Sequence, residues 1–329
     1  MALFFLLSNC KDPYSFKNIE SKEYLTINGG IHNGPGPYFI DLGITKSPAQ
    51  VAAPLDGADI MIKDQYGSTE KYIAHGNGKY QSNGTTVVGT PGNNYILEIR
   101  LKNGNVYHST PEIMPTTPLS TDSATFQVDR ESIISSENAV IYNYFINILL
   151  KTKLPKIDSV GYFRWGIDEV YLMLVNHNSG CWVSQPYCVY NITNIKNTDY
   201  SNLVLSNILL QHRPIDMTFG YGHMFNITQS CMNKKNYDYW FKVKELKDRQ
   251  GSIFDTPPAN IIGNMINESN PKEIVLGYFE ATSQKITRVK VERGNIPDAA
   301  RIDCTNYPSE FCSSCDHSPG TPEQPTWWF

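Results

Sequence analysis

Short stretches in which apolar and polar residues alternate dominate the first third of the chain. Between residues 24 and 115 they recur roughly every 8 to 15 residues, as in EYLTINGGI, GADIMIKDQYG and NNYILEIRLKNGNVYHS, with glycine, asparagine and proline clusters between them. A period of two is the pattern of a strand with one buried face. Many short strands at this spacing are typical of two packed antiparallel sheets. The sequence therefore predicts a mainly β protein with a β-sandwich over residues 23–114.

The stretch YILEIRLKNGN shows this alternation most clearly. Its apolar side chains, which fall on one face of a strand, are Tyr95, Leu97, Ile99 and Leu101. The Asn-Gly pair at 103–104 has the composition of a tight hairpin turn. A half-buried strand followed by a hairpin is expected here.

Residues 115–294 are predicted to form a second, larger domain that is also rich in strands. The proline-rich stretch MPTTPLSTD marks the boundary between the two domains. The segments after it, such as VIYNYFINILL and SVGYFRWGIDEVYLMLV, are rich in β-branched and aromatic residues.

A single helix is expected near residues 233–250, in NKKNYDYWFKVKELKDRQG. One helical face carries Tyr239, Trp240, Val243 and Leu246. Asn233 or Ser230 is the candidate N-cap. The apolar face is predicted to pack on a sheet, with Trp240 buried and Lys242 in solvent.

Charge and hydropathy bear on the partners of the chain. The net charge is -4, the pI is near 6.0, and no run of lysine and arginine exceeds two residues. Nucleic-acid binding requires a basic surface, so no nucleic-acid partner is expected. After the N-terminus, no stretch approaches the ~18 apolar residues that a membrane-spanning helix needs.

The opening MALFFLLSNC predicts export and lipidation. Its apolar run at residues 2–7 is too short to cross a bilayer and suits the distal part of a secretion signal. A buried first strand or hairpin is the alternative. LSNC resembles the lipobox of bacterial lipoproteins, in which the signal is removed before a cysteine that becomes lipidated. Residues 1–9 are thus expected to be a signal-peptide remnant, Cys10 the lipidated residue, and residues 10–22 a polar tether.

The other six cysteines fit an exported chain. Three are central and three lie near the C-terminus: Cys181, Cys188, Cys231, Cys304, Cys312 and Cys315. An even number in an oxidising compartment predicts three disulfides, at least one of which joins the tail at 295–329 to the centre, but fifteen connectivities fit. The alternative is zinc bound by Cys304, Cys312, Cys315 and His317. Disulfides are the preferred interpretation, and neither a metal nor a cofactor is predicted.

The tail at 295–329 is poor in aliphatic residues and ends in Trp327, Trp328 and Phe329. A segment of this composition cannot form a core of its own and must be held by cross-links and by docked aromatic side chains. The three terminal aromatics either pack back on a sandwich or present a surface to a partner; packing is the preferred interpretation.

A search for catalytic motifs finds none among the seven histidines, and there is no nucleophile elbow or phosphate-binding loop. The adjacent carboxylates Asp168 and Glu169 are the one acidic pair worth inspecting. On a strand they point to opposite faces and are expected to be solvated charges. The loop GYGHMF at 220–225 either contacts a ligand or only turns the chain, and a turn is preferred. The chain is predicted not to be an enzyme.

Several of these segments together carry a family resemblance. The most specific are FDTPPANIIGN followed by VLGYF, and the ending CTNYPSEFCSSCDHSPGTPEQPTWWF. With LDGADIMIKDQYG and YDYWFKVKELKDRQG, they resemble a Bacteroidota lipoprotein family defined by domain of unknown function 4249, over nearly the whole mature chain. The resemblance implies an immunoglobulin-like or transthyretin-like first domain and a gene beside a TonB-dependent outer-membrane transporter. Cys188 and Cys231 are additions to the usual set of this family, which implies that they pair with each other and leave Cys181 for the tail.

Two functions of different class follow from this reading. The first is a lipoprotein of the outer membrane, anchored through lipid on Cys10, that captures or admits a ligand beside a TonB-dependent transporter. The second is an outer-membrane scaffold or interaction protein without a small-molecule site. Lys11 and Asp12 loosely resemble the export signals of surface lipoproteins, so surface exposure is a further hypothesis. A concave aromatic pocket at the domain junction would favour capture, and a flat apolar face without a pocket would favour the scaffold.

Overall fold

The computed structural model describes residues 23–46, 51–156, 160–175, 179–185, 193–197, 203–248, 261–297 and 320–328. Within these residues the fold is mainly β, as predicted: twenty strands form three sheets, and there is one α-helix. Two short 3-10 helices, Met217–Phe219 and Arg293–Asn295, complete the regular structure of this part of the chain.

The N-terminal part of the chain contributes strands to two sheets. Its strands in chain order are β1 Tyr24–His32, β2 Tyr38–Thr45, β3 Ala53–Pro54, β4 Asp59–Asp64, β5 Thr69–Lys71, β6 Ile73–Gly76, β7 Lys79–Ser82, β8 Asn94–Arg100, β9 Val106–Ser109 and β10 Glu112–Ile113. Strands β1, β2, β3, β7 and β6 belong to one sheet, and β9, β8, β4, β5 and β10 to the other. Both sheets supply residues to one hydrophobic cluster, so they form a sandwich.

The hairpin predicted from YILEIRLKNGN is confirmed. Tyr95, Leu97 and Ile99 of β8 are fully buried. Strand β9 pairs with β8 in antiparallel register, and the amide of Gly104, at a φ of 87°, donates to the carbonyl of Leu101 in the turn between them. Glycine adopts this left-handed backbone without a Cβ clash, which is why the Asn-Gly signal was informative.

Most of the remaining strands contribute to a second core, whereas Met265–Asn267 pairs with β9 of the sandwich. The remaining strands are β11 Thr121–Ile134, β12 Val140–Lys153, β13 Gly161–Val175, β14 Ser179–Gln185, β15 Thr193–Asn197, β16 Val204–Pro214, β17 His223–Cys231, β18 Met265–Asn267, β19 Leu276–Val291 and β20 Gly320–Thr321. Strands β11, β12 and β16 form a three-stranded sheet. Its inner face packs with residues of β13, β17 and β19 around Phe163 and Trp165, both fully buried.

The 16-residue strand β19 joins the two parts of the molecule. Its first half, from Leu276 to Thr282, runs parallel to β1, and its second half, from Ser283 to Val291, runs antiparallel to β17. Strands from residues 23–114 and from residues 115–294 therefore share one continuous eleven-stranded sheet in the order β20-β14-β13-β17-β19-β1-β2-β7-β6, with β15 and β3 pairing beside it. Met265, Val275 and Phe279 also lie in the core of the N-terminal sandwich.

The hairpin of β11 and β12 extends beyond its sheet. Each strand has 14 residues, but β12 pairs with its other neighbour only from Phe145 to Lys153, so the far end of the hairpin has two strands. At the far end five apolar residues are exposed or half-exposed: Ile133, Ile134, Val140, Ile141 and Tyr142. This group is referred to below as the apolar hairpin tip.

The predicted helix is present as α1, Lys234–Asp248. Asn233 caps it, since its Oδ1 accepts from the amide of Asn236 at 2.9 Å. In the part of the chain that the structure describes, no helix combines the length and the apolar character needed to cross a membrane.

Candidate functional site

Helix α1 is held to the sheets by two buried or nearly buried carboxylates. The first is Glu112 of β10, which is fully buried. Its Oε2 accepts from Nδ2 of Asn233 at 2.6 Å, so the residue that caps the helix also ties it to the N-terminal sandwich. Its Oε1 accepts from the hydroxyl of Tyr278 at 2.8 Å and from Nδ2 of Asn264 at 3.1 Å. Burial raises the pKa of Glu112, and these three donors act in the opposite direction.

The second carboxylate is Glu280 of β19. Nη2 of Arg164 donates to its two oxygens at 2.9 and 3.1 Å. Nδ2 of Asn236 donates to Oε2 at 3.0 Å, and the indole nitrogen of Trp240 lies 3.4 Å from the same oxygen. The guanidinium of Arg164 stacks over the Trp240 ring at 4.1 Å. Glu280 therefore accepts hydrogen bonds from a residue of β13 and from residues of α1, and so links the strand to the helix.

The helix face expected to be apolar is only partly buried. Asn236 and Tyr237 are the buried residues of α1, whereas Trp240 is half-buried and lies against a charged pair. The prediction that Trp240 is buried in a hydrophobic core is therefore wrong. Asn236 and Trp240, three and seven residues after Asn233, lie on the side of the helix that faces the sheet. Both contact Glu280, so hydrogen bonds and not apolar burial orient this side of α1.

We expect Trp240→Ala to lower the free energy of unfolding by about 1–2 kcal/mol, because the change removes a partly desolvated cation–π contact and part of an aromatic surface. Lys242→Ala, two residues along and exposed, should change it by less than about 0.5 kcal/mol. Urea denaturation followed by far-UV circular dichroism measures both. Equal midpoints for the two variants would show that the Trp240 contact contributes nothing.

A cleft of about 310 Å³ opens between α1, the β9–β10 connection and the start of β19. Six of the residues that line it are Thr110, Lys235, Tyr239, Lys242, Ile262 and Tyr278. The rings of Tyr239 and Tyr278 lie 4.9 Å apart between centroids. The cleft is thus open, partly aromatic, and placed where residues of the two predicted domains meet.

The polar groups at the floor of the cleft are already engaged. The Tyr278 hydroxyl donates to Glu112, and burial together with this carboxylate raises the pKa of Tyr278. The Asn264 side chain donates to the Phe279 carbonyl at 2.8 Å and accepts from its amide at 2.9 Å. Burial raises the pKa of Tyr239 to about 12, so its phenol is neutral at physiological pH. A bound molecule would meet two aromatic side chains and a neutral phenol here.

The inspected pair Asp168 and Glu169 lies on β13 and points to opposite faces, as predicted. The expectation that both are solvated is wrong for Glu169, which is fully buried. Its Oε2 pairs with the guanidinium of Arg213 and lies 2.8 Å from Nε2 of the equally buried His223. Arg213 also pairs with Asp216. Alternation along the strand could not reveal this partnership, because Arg213 and His223 come from β16 and β17.

We call Glu169, Arg213, Asp216 and His223 the Glu169 cluster. The ring of Phe219 stacks on His223 at 4.1 Å and shields it from solvent. The preferred reading of GYGHMF as a turn holds for Gly220 to Gly222, after which His223 begins β17. Glu169 and His223 are completely buried, and the carboxylate of the cluster that reaches the surface is that of Asp216, which is 45% exposed and paired with Arg213.

The structure corrects one expected disulfide. Cys231, at the end of β17, is a free and fully buried thiol, so the implied pairing of Cys188 with Cys231 is wrong. Its side chain belongs to the second hydrophobic core, and burial raises the pKa of the thiol to about 12. Cys181 on β14 is disulfide-bonded. Cys188, Cys304, Cys312 and Cys315 lie outside the described residues.

Two of the three terminal aromatics pack back on the protein, as preferred. The ring of Trp327 lies 4.5 Å from the guanidinium of Arg288 on β19. Trp328 lies against Gly222, where an added Cβ would be 3.3 Å from a carbon of the indole. Strand β20 pairs with β14 just before them. Phe329 lies outside the described residues.

Other predicted residues also lie outside the described part of the chain: Cys10, the tether at 10–22, and His317 of the zinc alternative. Across the ranges that the structure does describe, no group of three or more histidine, cysteine, aspartate or glutamate side chains is arranged to hold a metal ion.

The sequence reasoning missed the residues that build the cleft. Lys235 and Lys242 are seven positions apart and so lie on one side of a helix, which was a readable signal. Glu112 and Glu280 offered no such signal, because each looks like an ordinary strand charge until the fold brings Asn233 and Arg164 to it.

Comparison with known proteins places the chain in a family. No curated protein matches it. The family model described as domain of unknown function (DUF4249) matches residues 11–288, which is most of the 329-residue chain. The chain therefore belongs to the DUF4249 family.

Proposed function

We propose that this chain is a non-enzymatic lipoprotein of the outer membrane that captures a ligand for a TonB-dependent transporter. The observation that carries the capture role is the cleft beneath α1, an open and partly aromatic site between parts of both predicted domains. Small-molecule sites occur preferentially at such junctions. The transporter, the Bacteroidota source and the lipid anchor on Cys10 rest on the sequence resemblances.

The proposal is non-enzymatic because the buried charged groups have structural partners. Glu169 is paired with Arg213 and His223, and Glu280 with Arg164. Glu112 accepts from Asn233, Asn264 and Tyr278. Charges held in this way join strands and the helix to one another.

Affinity purification of the tagged chain from native membranes tests the partnership. We expect a TonB-dependent transporter to co-purify in excess over its level with an unrelated tagged lipoprotein, and a small molecule to be released when the complex is denatured. A preparation that contains the chain without any enriched transporter would contradict the proposal.

A second candidate function, an interaction protein of the outer membrane, is favoured by the apolar hairpin tip. Ile134 is 74% exposed, Val140 65% and Tyr142 59%, on a hairpin that projects beyond its sheet. Contiguous exposed apolar groups mark protein interaction sites. If this surface holds the partner, Ile134→Ser combined with Ile141→Ser should abolish co-purification, and Lys235→Gln combined with Lys242→Gln in the cleft should leave it intact. If the hairpin double variant retains the partner, the tip is not the contact.

The lipid anchor has its own test. Cys10→Ala should move the protein from the membrane fraction to the soluble fraction, because the acyl chains contribute about 0.8 kcal/mol per buried CH₂ and the polar tether offers no other apolar attachment. Lys17→Ala in the tether should leave membrane attachment unchanged. Fractionation followed by immunoblotting measures both, and a Cys10→Ala protein that stays with the membrane would refute Cys10 as the sole anchor.

A further inference from the structure

We infer that the cleft beneath α1 binds a small anion that carries a flat apolar group; this inference rests on the proposed capture function and names the class of its ligand. The argument uses the charges at the rim of the cleft, the hydrogen bonds at its floor and its size.

Two exposed lysines stand at the rim of the cleft. Lys235 and Lys242 both line the cleft, and both are exposed. In the described part of the chain neither forms an ion pair, whereas Lys234 pairs with Asp238 and Lys244 with Asp248 on the same helix. Lys235 also attracts the buried carboxylate of Glu112 and so acts to lower its pKa, but no salt bridge among the described residues holds either ammonium group, and both can reach a ligand.

Two acidic side chains lie close to these lysines, and each already has partners. Asp238 also lines the cleft, but its carboxylate is paired with Lys234. Glu112 lies below the floor, is fully buried, and accepts from three donors. The local balance at the rim is thus positive, in a protein whose net charge is -4, and favours an anion.

The residues at the floor and wall of the cleft favour a ligand whose uncharged part is apolar and flat. The rings of Tyr239 and Tyr278, with 38° between their planes, line the cleft, and the Tyr278 hydroxyl is turned to Glu112. Ile262, 62% exposed, stands at the wall, and the Asn264 amide is saturated by Phe279 and Glu112. A ligand that covers these groups gains by burying apolar surface, since the floor offers few free hydrogen-bonding groups.

The size of the cleft sets the scale of the ligand. About 310 Å³ is at the lower end of the range of about 300–1,000 Å³ for small-molecule sites. This volume suits one small aromatic or alicyclic carboxylate, sulfonate or phosphate, and excludes a folded partner domain.

A fluorescent probe pair tests the inference on the purified chain without its signal segment. Anilinonaphthalene sulfonate is a flat aromatic anion, and phenylnaphthylamine is the same ring system without the sulfonate. We expect the anion to bind at one saturable site. Lys235→Gln combined with Lys242→Gln should weaken its binding about tenfold and leave phenylnaphthylamine binding within about twofold of wild type.

The matched control is Lys244→Gln combined with Lys247→Gln, which removes the same charge from the same helix at residues that do not line the cleft. It should change the dissociation constant of the anion by less than about twofold, since solvent screens charges that lie away from the site. Ile262→Ser should weaken both probes by about fivefold, since both use the apolar wall. Equal weakening by the two lysine pairs, or equal binding of charged and neutral probes, would overturn the anion assignment.

The result of the probe experiment can be told apart from the result of the transporter co-purification. Saturable binding lost in the Lys235 and Lys242 variant supports the ligand class even if no transporter co-purifies, a result that would contradict the partnership alone. Absence of saturable probe binding to a folded chain overturns the ligand class, whatever partner is found in the membrane.

Discussion

Glu169→Ala should lower the free energy of unfolding by about 3–5 kcal/mol, because it leaves the guanidinium of Arg213 buried without its main counter-charge. Glu169 is completely buried, and Arg213 is 10% exposed at its side chain. His223 on the neighbouring strand also loses its carboxylate partner. Three strands, β13, β16 and β17, meet at Glu169. The loss of stability is therefore expected to affect the whole fold and not a single loop. Chemical denaturation with an unchanged slope against denaturant would measure it.

Asp168→Asn is the matched control, at the adjacent position on the opposite face of β13. Asp168 is half-buried, accepts from Nδ2 of Asn226 at 2.7 Å, and has its pKa raised by burial. Because burial disfavours its ionised form and asparagine keeps an acceptor oxygen, the change should cost less than about 1 kcal/mol. Comparable losses at the two positions would contradict the assignment of Glu169 as the structural charge.

Gly277→Ala should lower the free energy of unfolding by about 2–5 kcal/mol, because a left-handed residue and a steric clash are combined at one position. Gly277 has a φ of 86°, and an added Cβ would lie 1.9 Å from the carbonyl oxygen of Ile27, its partner in the parallel pairing of β1 with β19. Strand β1 would have to move away from β19. Amide hydrogen exchange should then show protection lost first in β1.

Gly104→Ala separates the two contributions. Gly104 has a φ of 87°, but its missing Cβ would have no heavy atom within 4 Å. Gly104→Ala should therefore lower the free energy of unfolding only by the cost of the left-handed conformation, about 1–2 kcal/mol. Amide exchange in β1 should stay unchanged. If Gly277→Ala is no more destabilising than Gly104→Ala, the close approach of the two strands does not limit stability.

Local patterns predicted elements well wherever one face of an element is buried against a single core. Tyr95, Leu97 and Ile99 show this, since alternation alone placed them in the sandwich and the Asn-Gly signal placed the turn. The existence of α1 was equally readable, and Asn233, which caps it, was one of the two candidate caps beside Ser230. In these cases the period of the hydrophobic residues and the chemistry of the turn or cap act over a few residues.

The environment of α1 could not be predicted in the same way. Trp240 looked like a core residue because aromatic side chains on a helix usually are. Its actual neighbours, Arg164 and Glu280, come from strands about 75 residues before and 40 residues after it, so their positions depend on the sheet order. The same holds for Glu169, whose partners belong to two other strands.

The sequence by itself determined the mainly β class, the hairpin at residues 95–104 and the single helix, because each follows from short-range periodicity and turn chemistry. Only the tertiary structure decided that β19 joins both parts in one sheet, that Cys231 is a free buried thiol, and that Lys235 and Lys242 border a cleft. Those features depend on which distant strands become neighbours, and strand pairing between remote segments is set by the packing of the whole chain rather than by any local pattern.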